Sequence, residues 1–120
     1  MIGLDTNVLV RYLVQDDPAQ SRQVNVLIDR AAARETAMYI NHIVMCELAW
    51  VLGSGYKYGR SALADVLERI LLSKQFEIET KDLAWVALAT FKGGSADFAD
   101  CLLGLINNVA GSEPTCTFYP

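Results

Sequence analysis

The chain has 120 residues, with 10 Lys and Arg against 14 Asp and Glu, a net charge of -4, 52% hydrophobic and 20% charged residues. That length suits one domain with a sizeable core, and the apolar excess suits a sheet covered on both faces or a large protein interface. The acidic balance excludes capture of nucleic acid by the bulk field, so an RNA substrate would need a local basic patch, a metal ion or a basic partner.

No apolar run reaches the roughly 18 residues of a membrane helix. Asp5 interrupts the apolar start, which lacks the basic region and cleavage site of a secretory signal, so a cytoplasmic protein is expected. Cys46, Cys101 and Cys116 are odd in number and form no CxxC pair, which argues against a disulfide framework or a zinc knuckle. The single histidine, His42, cannot build a histidine-based metal site by itself.

In chain order, residues 2–5 read as a short buried strand ending in a carboxylate. A helix follows from Asn7 to about Val14, with Val8, Leu9, Tyr12 and Leu13 on its apolar side. Asp16-Asp17-Pro18 marks a break, with Asp17 as N-cap and Pro18 at the first position of the next helix. That helix carries Val24, Leu27, Ile28 and Ala31 at helical spacing. Ala37 to Ile40 is a second strand, leading through Asn41-His42 into an apolar helix from Ile43 to about Leu52.

Gly53-Ser54-Gly55 ends that helix, and the Gly59-Arg60-Ser61 region starts another, with Leu63, Val66, Leu67, Ile70 and Leu71 inward. Phe76 to Ile78 is a short alternating strand. Thr80 can cap a helix to about Lys92, Gly93-Gly94 is a break, and Ser95 caps a last helix with its body from Phe98 to Val109. Thr115 to Phe118 reads as a final strand. Strands separated by helices imply an α/β domain with a parallel sheet flanked by helices.

Four acids stand out. Glu47 is the only charged residue between Ile43 and Leu52. A buried carboxylate there demands a cation, a shifted pKa or an aqueous crevice, although a polar stripe facing water serves as well. Asp100 precedes the apolar run Cys101 to Ile106 and lies past the first turn of a helix capped at Ser95. Asp97, three residues earlier on the same face, reads more simply as a first-turn acid complementing the helix dipole. Asp5 alone reads equally well as a helix cap beside Thr6 and Asn7.

Together the weights change, because a parallel sheet gathers its strand ends and helix starts at one carboxyl edge. Three or four acids converging there, with no obvious Lys or Arg between them, suit Mg²⁺ or Mn²⁺. Cys46 and Cys101 are expected in the core, His42 as a local hydrogen-bonding group, and Trp50, Tyr56, Tyr58 and Trp85 in packing or a dimer contact.

Ile2-Gly3-Leu4-Asp5-Thr6-Asn7-Val8-Leu9-Val10-Arg11-Tyr12-Leu13, Asp16-Asp17-Pro18, Glu47-Leu48-Ala49-Trp50-Val51-Leu52 and Ala96-Asp97-Phe98-Ala99-Asp100 together resemble PIN-domain proteins, and among them VapC-type toxins of bacterial toxin–antitoxin pairs. The likeness runs from Met1 to Phe118. It implies a single PIN-like domain over residues 1–120, with a three-layer α/β/α arrangement around a short central parallel sheet.

It also implies a Mg²⁺- or Mn²⁺-dependent endoribonuclease acting on structured RNA such as tRNA, a cognate antitoxin whose C-terminal segment crosses the site, and a homodimer. Carried over by position, Asp5, Glu47 and Asp100 are the core metal-binding acids, Asp97 the accessory acid, and Thr6 and Asn7 polar supports. One departure stands out. The family pattern Thr-Phe-Asp reads Thr117-Phe118-Tyr119 here and the tail is missing, so a fourth ligand is expected to be absent.

A catalytically weakened module that still dimerises and binds an antitoxin is therefore the second reading. A third, a phosphohydrolase of the haloacid-dehalogenase kind with Asp5 as nucleophile, stands behind both, because Asn7 occupies the position where a second Asp is wanted.

Overall fold

The structure, a computed structural model, describes residues 1–112 and 114–116. Among these residues six α-helices pack around a short three-stranded parallel sheet in the order β1-β2-β3, which is the α/β architecture expected. The strands are β1 (Ile2–Gly3), β2 (Met38–Ile40) and β3 (Phe76–Ile78). Their register pairs Ile2 with Met38 and Gly3 with Tyr39, then Met38 with Phe76, Tyr39 with Glu77 and Ile40 with Ile78. Backbone bonds from Leu4 N–H to Tyr39 O and from Glu79 N–H to Ile40 O, both 2.9 Å, prolong each ladder towards the carboxyl edge.

The helices are α1 (Thr6–Val14), α2 (Pro18–Ala33), α3 (His42–Trp50), α4 (Arg60–Leu72), α5 (Lys81–Gly93) and α6 (Phe98–Val109). Asp17 caps α2 by accepting from the Gln20 N–H at 3.1 Å, with Pro18 at the first position. Asn41 caps α3 through the Val44 N–H at 2.9 Å. Both caps satisfy a helix-end donor that would otherwise be orphaned. A continuous core runs beneath the sheet edges and helices, with Leu9, Met38, Ile40, Met45, Leu48, Leu52, Leu67 and Leu71 fully buried.

Three boundaries differ from the sequence reading. Gly53-Ser54-Gly55 does not stop the third helix; Val51–Gly55 widens into a π-helical turn, closed by the Tyr56 N–H bonding to Val51 O at 3.3 Å. The last helix is not capped at Ser95, because the chain bends through residues 94–96 and the helix begins only after Asp97, its actual N-cap. Thr80 does precede α5, but at φ 41° and ψ 62° it makes no side-chain capping bond. A cap needs β-region backbone to bring the hydroxyl over the first N–H groups.

Of the expected final strand, Thr115 and Cys116 carry no strand, while Thr117 and Phe118 lie outside the described residues. Among the described residues no helix is long and apolar enough to cross a membrane.

Candidate metal centre

Because the three strands run parallel, the residues that leave them share one edge: Leu4-Asp5 after β1, Asn41-His42 after β2 and Glu79-Thr80 after β3. Asp5 is the helix cap that its position allowed. Its Oδ1 accepts from the Val8 N–H at 2.9 Å and so caps α1, while the residue itself is exposed. Thr6 is buried at the first turn and Asn7 is exposed, and neither hydrogen-bonds to Asp5.

The burial argument for Glu47 is overturned. α3 turns Val44, Met45, Leu48 and Ala49 to the core and leaves Ile43, Glu47 and Trp50 outward, so Glu47 is exposed. The helix is apolar nearly all round, and its periodicity could not reveal which face met water. Asp100 is likewise exposed. Since α6 starts at Phe98, it stands inside the first turn, where the helix dipole favours a carboxylate. Asp97, expected within the first turn, is instead the N-cap, and its side chain accepts no capping bond.

A cavity of about 320 Å³ lies between the end of α3, its π-helical turn, the start of α4 and the start of α6. Cys46, Ala49, Trp50, Tyr58, Arg60, Phe91, Asp97 and Phe98 line it. Of the four acids Asp97 lines it, while Cys46, the sequence neighbour of Glu47, forms part of the same wall. α3 also packs on α1, which Asp5 caps, and on α6. Burial pushes the Cys101 thiol up; Arg60 pulls it down, and Asp100 and Asp97 push it further up, so one buried sulfur feels all three charges. Burial also raises the Cys46 thiol. Both cysteines are packing groups, as expected.

The structure does not draw Asp5, Glu47, Asp97 and Asp100 into one coordination sphere. Among the described residues no group of three or more His, Cys, Asp or Glu is placed to hold a metal ion. The chemistry of the donors nevertheless fits a hard divalent ion. None of the four acids forms a salt bridge among the described residues, and all four are exposed. Mg²⁺ keeps several waters and is commonly bound by one or two carboxylates plus substrate phosphates, so an open arrangement suffices. Tyr119, in place of the expected last acid, lies outside the described residues.

Two residues were missed. Glu79, directly after β3, accepts from the His42 N–H at 2.8 Å, and the same oxygen lies 3.7 Å from His42 Nδ1. It ties the ends of two strands together and makes His42 the local bonding group expected; His42 Nε2 is buried without a partner among the described residues. An acid immediately after an alternating strand was the available signal. Arg60 is the other, at the start of α4, gripping the α5–α6 connection. Nothing in its sequence neighbourhood distinguished it from a solvated helix-start cation.

Of the two roles expected for Trp50, packing or a dimer contact, its 69% exposure at the cavity excludes core packing. Tyr56 packs against the core and also donates to Asp16 Oδ2 at 3.0 Å.

A model of the PIN domain family matches residues 2–105. A protein of Aquifex aeolicus (strain VF5) described as a VapC ribonuclease is 24% identical over 115 residues, covering 96% of this chain and 84% of that protein. No solved structure matches the chain.

Proposed function

This chain belongs to the PIN domain family, and from that premise we propose that it is a metal-dependent endoribonuclease toxin, acting in the cytoplasm and neutralised by a cognate antitoxin. Its relative's description as a ribonuclease supports the reaction class. One structural observation carries the reading to particular residues. Glu47, Asp97 and Asp100 are exposed and form no salt bridge among the described residues, and Asp97 lines a cavity at the junction of α3 and α6.

In this reading Asp5, Glu47 and Asp100 hold Mg²⁺ or Mn²⁺, with Asp97 as the accessory ligand. When bound, such an ion polarises a phosphodiester and lowers the pKa of an attacking water. The chain's own contribution is placement. Asp5 commits Oδ1 to the start of α1, which fixes its second oxygen in direction, and the packing of α3 on α6 sets Glu47 relative to Asp100. Thr6 and Asn7 shape the backbone around the first acid.

The surface around the acids supports the partner reading. Ile43, 70% exposed, and Trp50 flank Glu47 along α3, while Leu103 and Ile106 continue the exposed side of α6 beyond Asp100. An apolar rim around a set of acids suits a partner segment that covers both, and the same helices offer a homodimer contact.

RNA cleavage tests the proposal. The antitoxin-free protein should cut a structured RNA such as tRNA in Mn²⁺, and chelator should stop it. Asp100→Asn should lower kcat at least 100-fold. A second reading, a dimerising antitoxin-binding module with little turnover, is favoured by the unassembled acids and by Tyr119. Intact RNA after prolonged incubation with pure protein and Mn²⁺ would select it.

A further inference from the structure

We propose that the cavity between α3 and α6 is a nucleobase subsite, in which an unstacked base of the RNA stacks on Trp50 while Asp97 reads its edge, with guanine the preferred base. The inference rests on the reading of the substrate as RNA and asks nothing of a bound ion.

The size and lining of the cavity set the class of occupant. At about 320 Å³ it falls at the lower end of the roughly 300–1,000 Å³ of small-ligand pockets, room for one ring system rather than a length of chain. Trp50 and Tyr58 supply aromatic surface there. Tyr58 packs against the core, whereas Trp50 is 69% exposed and leaves its ring uncovered. Unstacked bases are the flat partners that exposed aromatic side chains take in single-stranded RNA and in its loops.

Charge separates a base from other flat ligands. Asp97 and Arg60 both line the cavity, one negative and one positive. Arg60 donates to the carbonyls of Phe91, Gly94, Ser95 and Ala96, so its hydrogens are committed while its charge remains. An arginine side chain arriving from a partner protein would meet that like charge, and a phosphate would meet Asp97. A neutral ring with a polar edge meets neither penalty.

Asp97 then chooses among the bases. It makes no capping bond and no salt bridge among the described residues, so both carboxylate oxygens can accept. An ionised carboxylate only accepts. Guanine alone offers two adjacent donors on its pairing edge, N1–H and the exocyclic amino group. Adenine and cytosine set a ring-nitrogen lone pair beside their amino group, and the N–H of uracil lies between two carbonyls, so each puts an acceptor against an acceptor.

Trp50 also lies three residues after Glu47, and both are exposed on α3, about 4.5 Å apart along the helix axis. A base held on Trp50 brings its own phosphate towards Glu47, which ties recognition to the proposed place of cleavage.

Single-stranded RNA hexamers of five uridines and one variable base, binding the whole protein in chelator, test the proposal apart from turnover. Cleavage of the same strands in Mn²⁺ is followed in parallel, and Tm confirms that each variant is folded. The guanine hexamer should bind about 10-fold more tightly than the adenine, cytosine and all-uridine ones, and should quench Trp fluorescence. Trp50→Ala should weaken its binding about 10-fold and remove the quenching although Trp85 remains, while Trp50→Phe should keep most of the affinity. Asp97→Asn should bring the four hexamers within about twofold of one another.

Equal affinity of the wild type for all four hexamers, or binding to none, would overturn the inference. So would wild-type affinity in folded Trp50→Ala, or a guanine preference that survives in Asp97→Asn; if the alanine variant fails to fold, Asp97→Asn carries the comparison. Quenching by N-acetylarginine amide and not by the guanine hexamer would assign the cavity to a partner protein instead. Guanine-selective binding with every strand left intact in Mn²⁺ would sink the ribonuclease reading and keep this one. Cleavage without base preference would do the reverse.

Discussion

Asp16 lies between two donors, the Arg11 Nη1 at 2.7 Å and the Tyr56 hydroxyl at 3.0 Å. Desolvation pushes its carboxyl up, but hydrogen bonds from Tyr56 and Arg11 outweigh it and hold the group below its ordinary 3.8. A carboxyl depressed in the folded state contributes stability that is present above the unfolded value and lost as pH falls through the folded one. Wild type should therefore lose Tm below about pH 4 more steeply than Asp16→Asn, in matched thermal scans from pH 6 to 2.5.

The candidate acids should behave differently. Because both acids are exposed and form no salt bridge among the described residues, Glu47→Gln and Asp100→Asn should change unfolding free energy by no more than about 0.5 kcal/mol in urea titrations. A loss of several kcal/mol would restore the buried-charge picture that exposure removed. At this scale the residue types were legible and their surroundings were not. Glu47 stood out because it is alone in an apolar run. Its solvent-facing position could not be read, because Ile43 and Trp50 beside it are as apolar as the core residues.

Among the elements, Thr80 connects β3 to α5 with φ 41°, a left-handed conformation that a β-branched residue adopts only under strain. Thr80→Gly should relieve about 1 kcal/mol and raise Tm by about 4 °C, since no capping bond of the threonine is lost. An unchanged or lower Tm would mean that the threonine side chain stabilises the turn in a way its conformation does not show.

The elements themselves were largely readable. β3 falls where alternation put it, α2 starts at Asp17-Pro18, and α6 has the expected body. What escaped were features set by contacts distant in sequence. Ser95 looked like the cap of α6 until Arg60, 35 residues earlier, is seen holding its carbonyl. The Gly-Ser-Gly stop became a π-helical turn because the Tyr56 and Tyr58 N–H groups reach back to Val51 and Leu52.

For the whole molecule, a ligand that binds only the folded chain stabilises it by mass action. Mn²⁺ at about 100 times its dissociation constant should add roughly 2.7 kcal/mol, read as a Tm rise that chelator reverses and that Asp100→Asn largely abolishes. The absence of any shift would count against the metal site whatever the RNA assay shows. Parallel strands bring the starts of the following helices to one edge, and that was legible as topology; which way each acid faces on α3 and α6 was not, because the apolar residues beside them carry no such signal.

Asp5 gives the fold one oxygen and has a second to spare. Folding and chemistry are therefore confounded in the simplest experiment on it. Asp5→Ala removes the proposed ligand and also an N-cap worth about 1 kcal/mol, so a cell carrying that variant could survive because the protein is scarce rather than because it is inert. Asp5→Asn keeps a capping oxygen and removes the charge. Equal steady-state levels of Asp5→Asn and wild type, with a lower level for Asp5→Ala, would separate abundance from activity at this one position.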